Sequence, residues 1–143
     1  MKVFVSGQLL EKEKINEIYA LLQNRGHVVT HDWTKTDNIV GGYSDNVDEA
    51  ALRAKKDIDG VLAADCYIIV TDNAKCGKGM YVELGAALTA AALKPERMEV
   101  VLLGPSNHES IFYYHPQVRR MSDLDEVLRF LDTKEENRLS IAA

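Results

Sequence analysis

Short apolar runs alternate with amphipathic stretches along the whole chain. Lys2 to Ser6, Cys66 to Val70 and Glu99 to Leu103 are nearly continuous in apolar residues, which predicts strands buried on both faces. His27 to His31 predicts a second strand, and Gln117 to Met121 a short one. The intervening segments follow helical spacing. Glu11 to Arg25 puts Ile15, Ile18, Tyr19 and Leu22 on one face, and Gly26 suits the position just past a helix end. Asp45 to Ala64 carries the stripe Val47, Ala50, Ala51, Ala54, Ile58, Val61 and Leu62. Gly79 to Leu93 is a third helix. Ser122-x-x-Asp125 resembles a capping box for a last helix with Leu124, Val127, Leu128 and Leu131 at core spacing. Thr34 to Ser44, Thr71 to Lys78 and Gly104 to Pro116 are loops by their polar and glycine content. The charged stretch after Thr133 is expected to fray, so residues 1–133 form one domain and 134–143 a tail.

Strand-helix alternation with buried strands predicts an α/β fold: a flavodoxin-like three-layer sandwich with a parallel five-stranded sheet. Ligands of such folds bind at the carboxyl ends of the strands. Here those ends are Ser6-Gly7-Gln8, His31-Asp32-Trp33, Thr71-Asp72 and Gly104-Pro105.

Composition narrows the partners. The chain has 143 residues and a formal net charge of −5. No basic surplus exists to neutralise a polymeric nucleic acid, whereas a small phosphorylated ligand fits helix N-termini and a few local cations. Two cysteines make no disulfide framework, and Cys66 falls in an apolar run. No apolar run reaches membrane-spanning length, and Met1-Lys2-Val3-Phe4-Val5 enters a strand directly. The expectation is a cytoplasmic protein with no membrane partner.

The densest chemical signal is Gly77-Lys78-Gly79-Met80-Tyr81-Val82-Glu83-Leu84-Gly85-Ala86-Ala87. A glycine-bearing turn leads into a helix of small residues, with Glu83 expected in the first turn. The free N–H groups there attract anions, and a carboxylate held there is expected to stay ionised. Acidic residues also occur at helix starts for dipole reasons alone. Gly85, Ala86 and Ala87 are expected to let the helix pack closely on the sheet. The glycines complete neither a dinucleotide fingerprint nor a phosphate-binding loop. Asp57 is the second carboxylate: positions 50, 54, 57 and 61 fall along one side of a helix, so Asp57 borders the apolar stripe while Asp59 points away. It serves either as an ion-paired helix-edge residue or as part of a site. Trp33 either stacks on a nucleobase or covers the core. His27 and His31, four apart on a strand, share a face, but further ligands are missing and no metal is expected. Phe112-Tyr113-Tyr114-His115 is an exposed aromatic cluster: a lid, a partner surface or a self-packed loop.

Together Asp57-x-x-Gly60, Asp65 before a strand, Gly79-x-x-x-Glu83-Leu84-Gly85-x-Ala87, Val5-Ser6-Gly7 and Gly26-His27 resemble the nucleoside 2-deoxyribosyltransferase superfamily, which includes the 2′-deoxynucleoside 5′-phosphate N-hydrolases. The resemblance spans Val3 to about Leu131. It implies Glu83 as nucleophile at the anomeric carbon and Asp57 as the group that assists the leaving base or positions the sugar. It implies that Ser6, Gly7 and Gln8 border the sugar or phosphate and that Gly77, Gly79 and Met80 line the ligand. It also implies a homo-oligomer, dimer or larger, in which Asn107, Ser110, Phe112 and His115 reach a neighbouring site. No metal or organic cofactor is implied. Where family members often have a tyrosine on the first strand, this chain has Phe4. The implied activity is N-glycosidic cleavage or deoxyribosyl transfer on a (deoxy)nucleoside or its 5′-monophosphate. The alternative is a nucleotide-binding or sensing domain that keeps the pocket without catalysis.

Overall fold

A computed structural model describes residues 1–143. Five parallel strands form one sheet in the order β2-β1-β3-β4-β5, where β1 is Lys2–Ser6, β2 Val28–Val29, β3 Cys66–Val70, β4 Glu99–Leu103 and β5 Val118–Met121. Three helices connect strands, α1 Lys12–Asn24, α2 Val47–Ala63 and α3 Lys78–Leu93, and a fourth, α4 Leu124–Ala142, follows β5. Strand alternation sorts the core into two clusters. Val3, Val5, Cys66, Ile68 and Val101 face α1 and α4 with Ile15, Leu22, Val127 and Leu131. Phe4, Tyr67, Ile69, Val100 and Leu102 face α2 and α3 with Val61, Leu84, Ala87 and Ala91. The three-layer, flavodoxin-like architecture is thus present. The strand order reverses between β1 and β3, which opens the crevice where doubly wound sheets place their ligands.

Several expectations are corrected. The second strand is only Val28–Val29, so His27 and His31 fall outside it and do not share a face. His27 Nε2 lies 3.0 Å from Asp132 on α4. His31 Nε2 lies 3.2 Å from Asp57 on α2. The last helix starts one residue later than the proposed box: Asp123 is its cap, accepting from the Glu126 N–H at 2.9 Å, while the Glu126 carboxylate accepts from the Ser122 N–H at 3.1 Å.

That helix does not fray after Thr133 but runs to Ala142. Charge explains the extension, because Lys134 bonds Glu99 at 2.5 Å and Arg138 bonds Asp65 at 2.9 Å. On α2 only Gly60 and Val61 are buried; Val47 and Leu62 of the expected stripe are exposed. In the aromatic stretch Tyr113 is buried, whereas Phe112 and Tyr114 are exposed. No helix is long and apolar enough to cross a membrane.

Candidate functional site

Glu83 lies in the second turn of α3 and not the first. Its side chain points at the end of β1, where the fully buried Ser6 donates a short hydrogen bond from Oγ to Glu83 Oε2. Burial pushes the Glu83 carboxyl up to about 8, against the Ser6 hydrogen bond, and the neighbouring Asp57 carboxylate pushes it further. The expected ionised carboxylate at a helix start is therefore replaced by a half-buried carboxyl that holds its proton at neutral pH. Loss of hydration outweighs the helix dipole, which fades within one turn.

Asp57 sits on α2 with Oδ1 on His31 Nε2. Burial raises its pKa, opposed by His31 and by Arg53. Gly60 explains the pairing. A Cβ there would lie 2.7 Å from His31 Cβ and 3.1 Å from the Phe4 ring. Its bare backbone lets His31 and β1 approach α2, and the Thr30 hydroxyl fixes the contact by donating to the Gly60 carbonyl at 2.7 Å. Both carboxylates also raise the pKa of the buried Tyr19 phenol, after burial and Asp32. Asp57 and Glu83, on two different helices, are thus near enough for both to act on Tyr19 and for Asp57 to act on Glu83.

The rim residues follow. Gln8 donates to the Lys75 carbonyl at 2.7 Å, which ties the end of β1 to the loop before α3. Gly77 caps α3 in extended conformation. A Cβ on Gly79 would lie 4.0 Å from Glu83 Oε1, so the free N–H groups of that turn open beside the carboxyl. Trp33 donates from Nε1 to the Val5 carbonyl at 2.8 Å and packs on both core clusters. A Cβ on Gly7 would come 3.6 Å from that indole and 2.5 Å from Ile15. Met80 is buried, and its carbonyl accepts from the Tyr67 hydroxyl at 3.2 Å. Gly85 faces open space; Ala87 makes the close contact with the sheet.

The loop after β4 bonds to itself and to the end of β3. Asn107 donates to Asp72 at 3.1 Å, Ser110 accepts from the Phe112 N–H at 3.3 Å, and His115 accepts from the Gln117 N–H at 3.2 Å. Phe112 projects outward. These four residues are not brought to Glu83 within one chain.

By sequence, no family model and no curated protein matches the chain. By structure, a 2-deoxyribosyltransferase from Bacillus psychrosaccharolyticus superposes with a TM-score of 0.62 at 17% identity, covering 89% of this chain and 90% of that one. The chain has a deoxyribosyltransferase fold. A Clostridium botulinum CMP N-glycosidase shares it, with a TM-score of 0.56, 19% identity and coverage of 92% and 99%. So does a conserved protein from Enterococcus faecalis V583, with a TM-score of 0.69, 13% identity and coverage of 94% and 98%. The fold agrees with the superfamily resemblance read from the motifs around Asp57 and Glu83.

Two residues of the deoxyribosyltransferase-fold crevice escaped the sequence reading. His31 was placed at a strand end but not paired with Asp57, although Gly60, three residues after Asp57, marks where a partner side chain packs against α2. Tyr67 passed as part of an apolar strand, yet its hydroxyl reaches the start of α3.

Proposed function

We propose that this chain is an N-glycosidase or deoxyribosyltransferase acting on a (deoxy)nucleoside or its 5′-monophosphate, with Glu83 as nucleophile. One observation carries the reading: a half-buried carboxyl, bonded by Ser6, shares the crevice at the strand-order reversal with a second carboxylate, Asp57, paired to His31. Two coupled carboxylates with raised pKa values suit glycosidic chemistry. The likeness to a deoxyribosyltransferase and a CMP N-glycosidase adds support.

In the reaction, ionised Glu83 attacks the anomeric carbon as the bond to the base nitrogen breaks. The electron pair leaves with the base, which takes a proton from the Asp57–His31 pair. The negative carboxylate stabilises the oxocarbenium-like charge, and the covalent ester divides one difficult step into two. Water, or a second base, then attacks the same carbon, gives up its proton to the Asp57–His31 pair and displaces the Glu83 carboxylate. The open N–H groups of Lys78 and Gly79 suit a 5′-phosphate. A homo-oligomer completes the site through the loop after β4, whose Ile111, Phe112 and Tyr114 are exposed.

Incubation with mixed nucleosides and 5′-monophosphates, followed by chromatography, tests the reading. Free base is expected with the wild type and not with Glu83→Gln. Saturable binding without any free base would favour the sensing domain instead. Full activity in a proven monomer would remove the shared site.

A further inference from the structure

Phe4 and Tyr67 are direct register partners on β1 and β3, and their rings stack at 6.0 Å between centroids. Ser6, two residues along β1, shares their face of the sheet. All three are fully buried. A buried phenol needs a partner for its hydroxyl, and the Tyr67 proton goes to the Met80 carbonyl, 3.2 Å away in the first turn of α3. Ser6 pairs with Ile69, two residues beyond Tyr67, so Ser6 and Tyr67 are diagonal neighbours on one buried face, a spacing that an aromatic side chain can span. With its proton on the Met80 carbonyl, the phenol oxygen can serve such a neighbour only as an acceptor. Ser6 acts on it as a hydrogen-bonding neighbour, while burial and the Glu83 charge keep the phenol protonated. The same Ser6 hydroxyl is the group that donates to Glu83.

We propose that Tyr67 is a positioning residue for Glu83 and acts through Ser6, at the far end of a hydrogen-bond chain that reverses when Glu83 takes up a proton. With Glu83 ionised, the Ser6 hydroxyl donates to its carboxylate. With Glu83 protonated, the carboxyl O–H donates to Ser6 Oγ, Ser6 turns to donate to the Tyr67 oxygen, and Tyr67 donates to the Met80 carbonyl. No bond other than hydrogen bonds changes, and the proton on Glu83 is exchanged with solvent. Ser6 therefore favours the ionised carboxylate, and Tyr67 favours the protonated carboxyl. Asp57 from α2 raises the Glu83 pKa as well, and Tyr19 from α1 and Cys76 before α3 lie within reach of its charge. None of these changes in the variants below.

The proposal rests on the reading of Glu83 as nucleophile only for its effect on turnover, so the test follows the carboxyl itself. In protein labelled with carbon-13 at glutamate carboxyls, the Glu83 signal is assigned by its loss in Glu83→Gln and titrated by NMR between about pH 5 and about pH 10. Tyr67→Phe, which keeps the stacked ring, is expected to lower the titration midpoint by about half a unit, about threefold in the ionised fraction at a given pH. Ser6→Ala is expected to raise it by at least as much, and Ser6→Thr to restore it. The acid limb of kcat/KM moves with the midpoint in each variant. Shifts of the same sign in Tyr67→Phe and Ser6→Ala, or no shift in Tyr67→Phe, overturn the chain. Opposite shifts in a protein that releases no base uphold the chain and defeat the glycosidase reading. Glu83-dependent base release without these shifts does the reverse.

Discussion

The two ends of the sheet treat their carboxylates in opposite ways. At the amino edge, a groove of 730 Å³ is lined by Lys2, Asp65, Arg97, Glu99, Lys134 and Arg138 among others. Burial there would raise the pKa of Asp65, but the Lys2 N–H and Arg138 hold it below its ordinary value. Glu99 is held down in the same way by Lys134 and Arg119. At the carboxyl edge, burial wins: Glu83 and Asp57 both rise, and the groups that oppose it are one hydroxyl, one histidine and one arginine. The hollow at the amino edge is lined by neutralised ion pairs that fasten α4 to the sheet, whereas at the carboxyl edge burial outweighs the opposing groups.

Substitutions at the two ends should separate accordingly. The largest effect falls on Glu83→Ala, which is expected to lower base release by about a thousandfold or more in a chromatographic assay while leaving circular dichroism unchanged. Asp57→Asn should lower kcat by about a hundredfold, because it removes the proton donor for the leaving base. Gly60→Ala places a methyl against His31 and Phe4, and is expected to cost about 1–3 kcal/mol in urea unfolding and to reduce activity with it.

The pH profile sharpens the contrast. Attack needs ionised Glu83, so kcat/KM should rise with pH and level off above about 8. Stability runs the other way. The folded pKa of Glu83 lies above its unfolded value, so the unfolded state loses its proton first and the folded state loses stability between the two values. Glu83→Gln should therefore raise the melting temperature more at pH 8 than at pH 4, a difference that calorimetry can read. The smallest effect belongs to the amino edge. Arg138→Ala breaks an ion pair that water reaches, so it should cost about 0.5–1 kcal/mol and leave turnover untouched.

Much of this was legible in the residues. Periodicity gave the four helices and most strands, because buried parallel strands leave continuous apolar runs such as Tyr67-Ile68-Ile69-Val70. It overextended β2, since the chain leaves the sheet after Val29 to carry His31 toward α2. It ended α4 too early, because its last turns are held by Lys134 and Arg138 reaching residues distant in sequence. The candidate site was read from Asp57 and Glu83 together with the strand ends, the glycine turn and the superfamily resemblance. The charge state of the two carboxylates was not, because desolvation depends on three-dimensional surroundings that spacing does not encode. The same reason hid Ser6 as the direct partner of Glu83 and Tyr67 as an apolar-strand residue with a polar task.

The central claim is that Glu83 carries the sugar during turnover. Wild-type protein mixed with a nucleotide that it turns over, quenched in acid within the first turnovers and digested, can be weighed by mass spectrometry across the segment from Gly77 to Leu93. The account predicts a pentose or pentose-phosphate adduct on Glu83 that is absent from Glu83→Gln and from unreacted samples. Rapid base release with Glu83 unmodified at every quench time, or undiminished in Glu83→Gln, would contradict it.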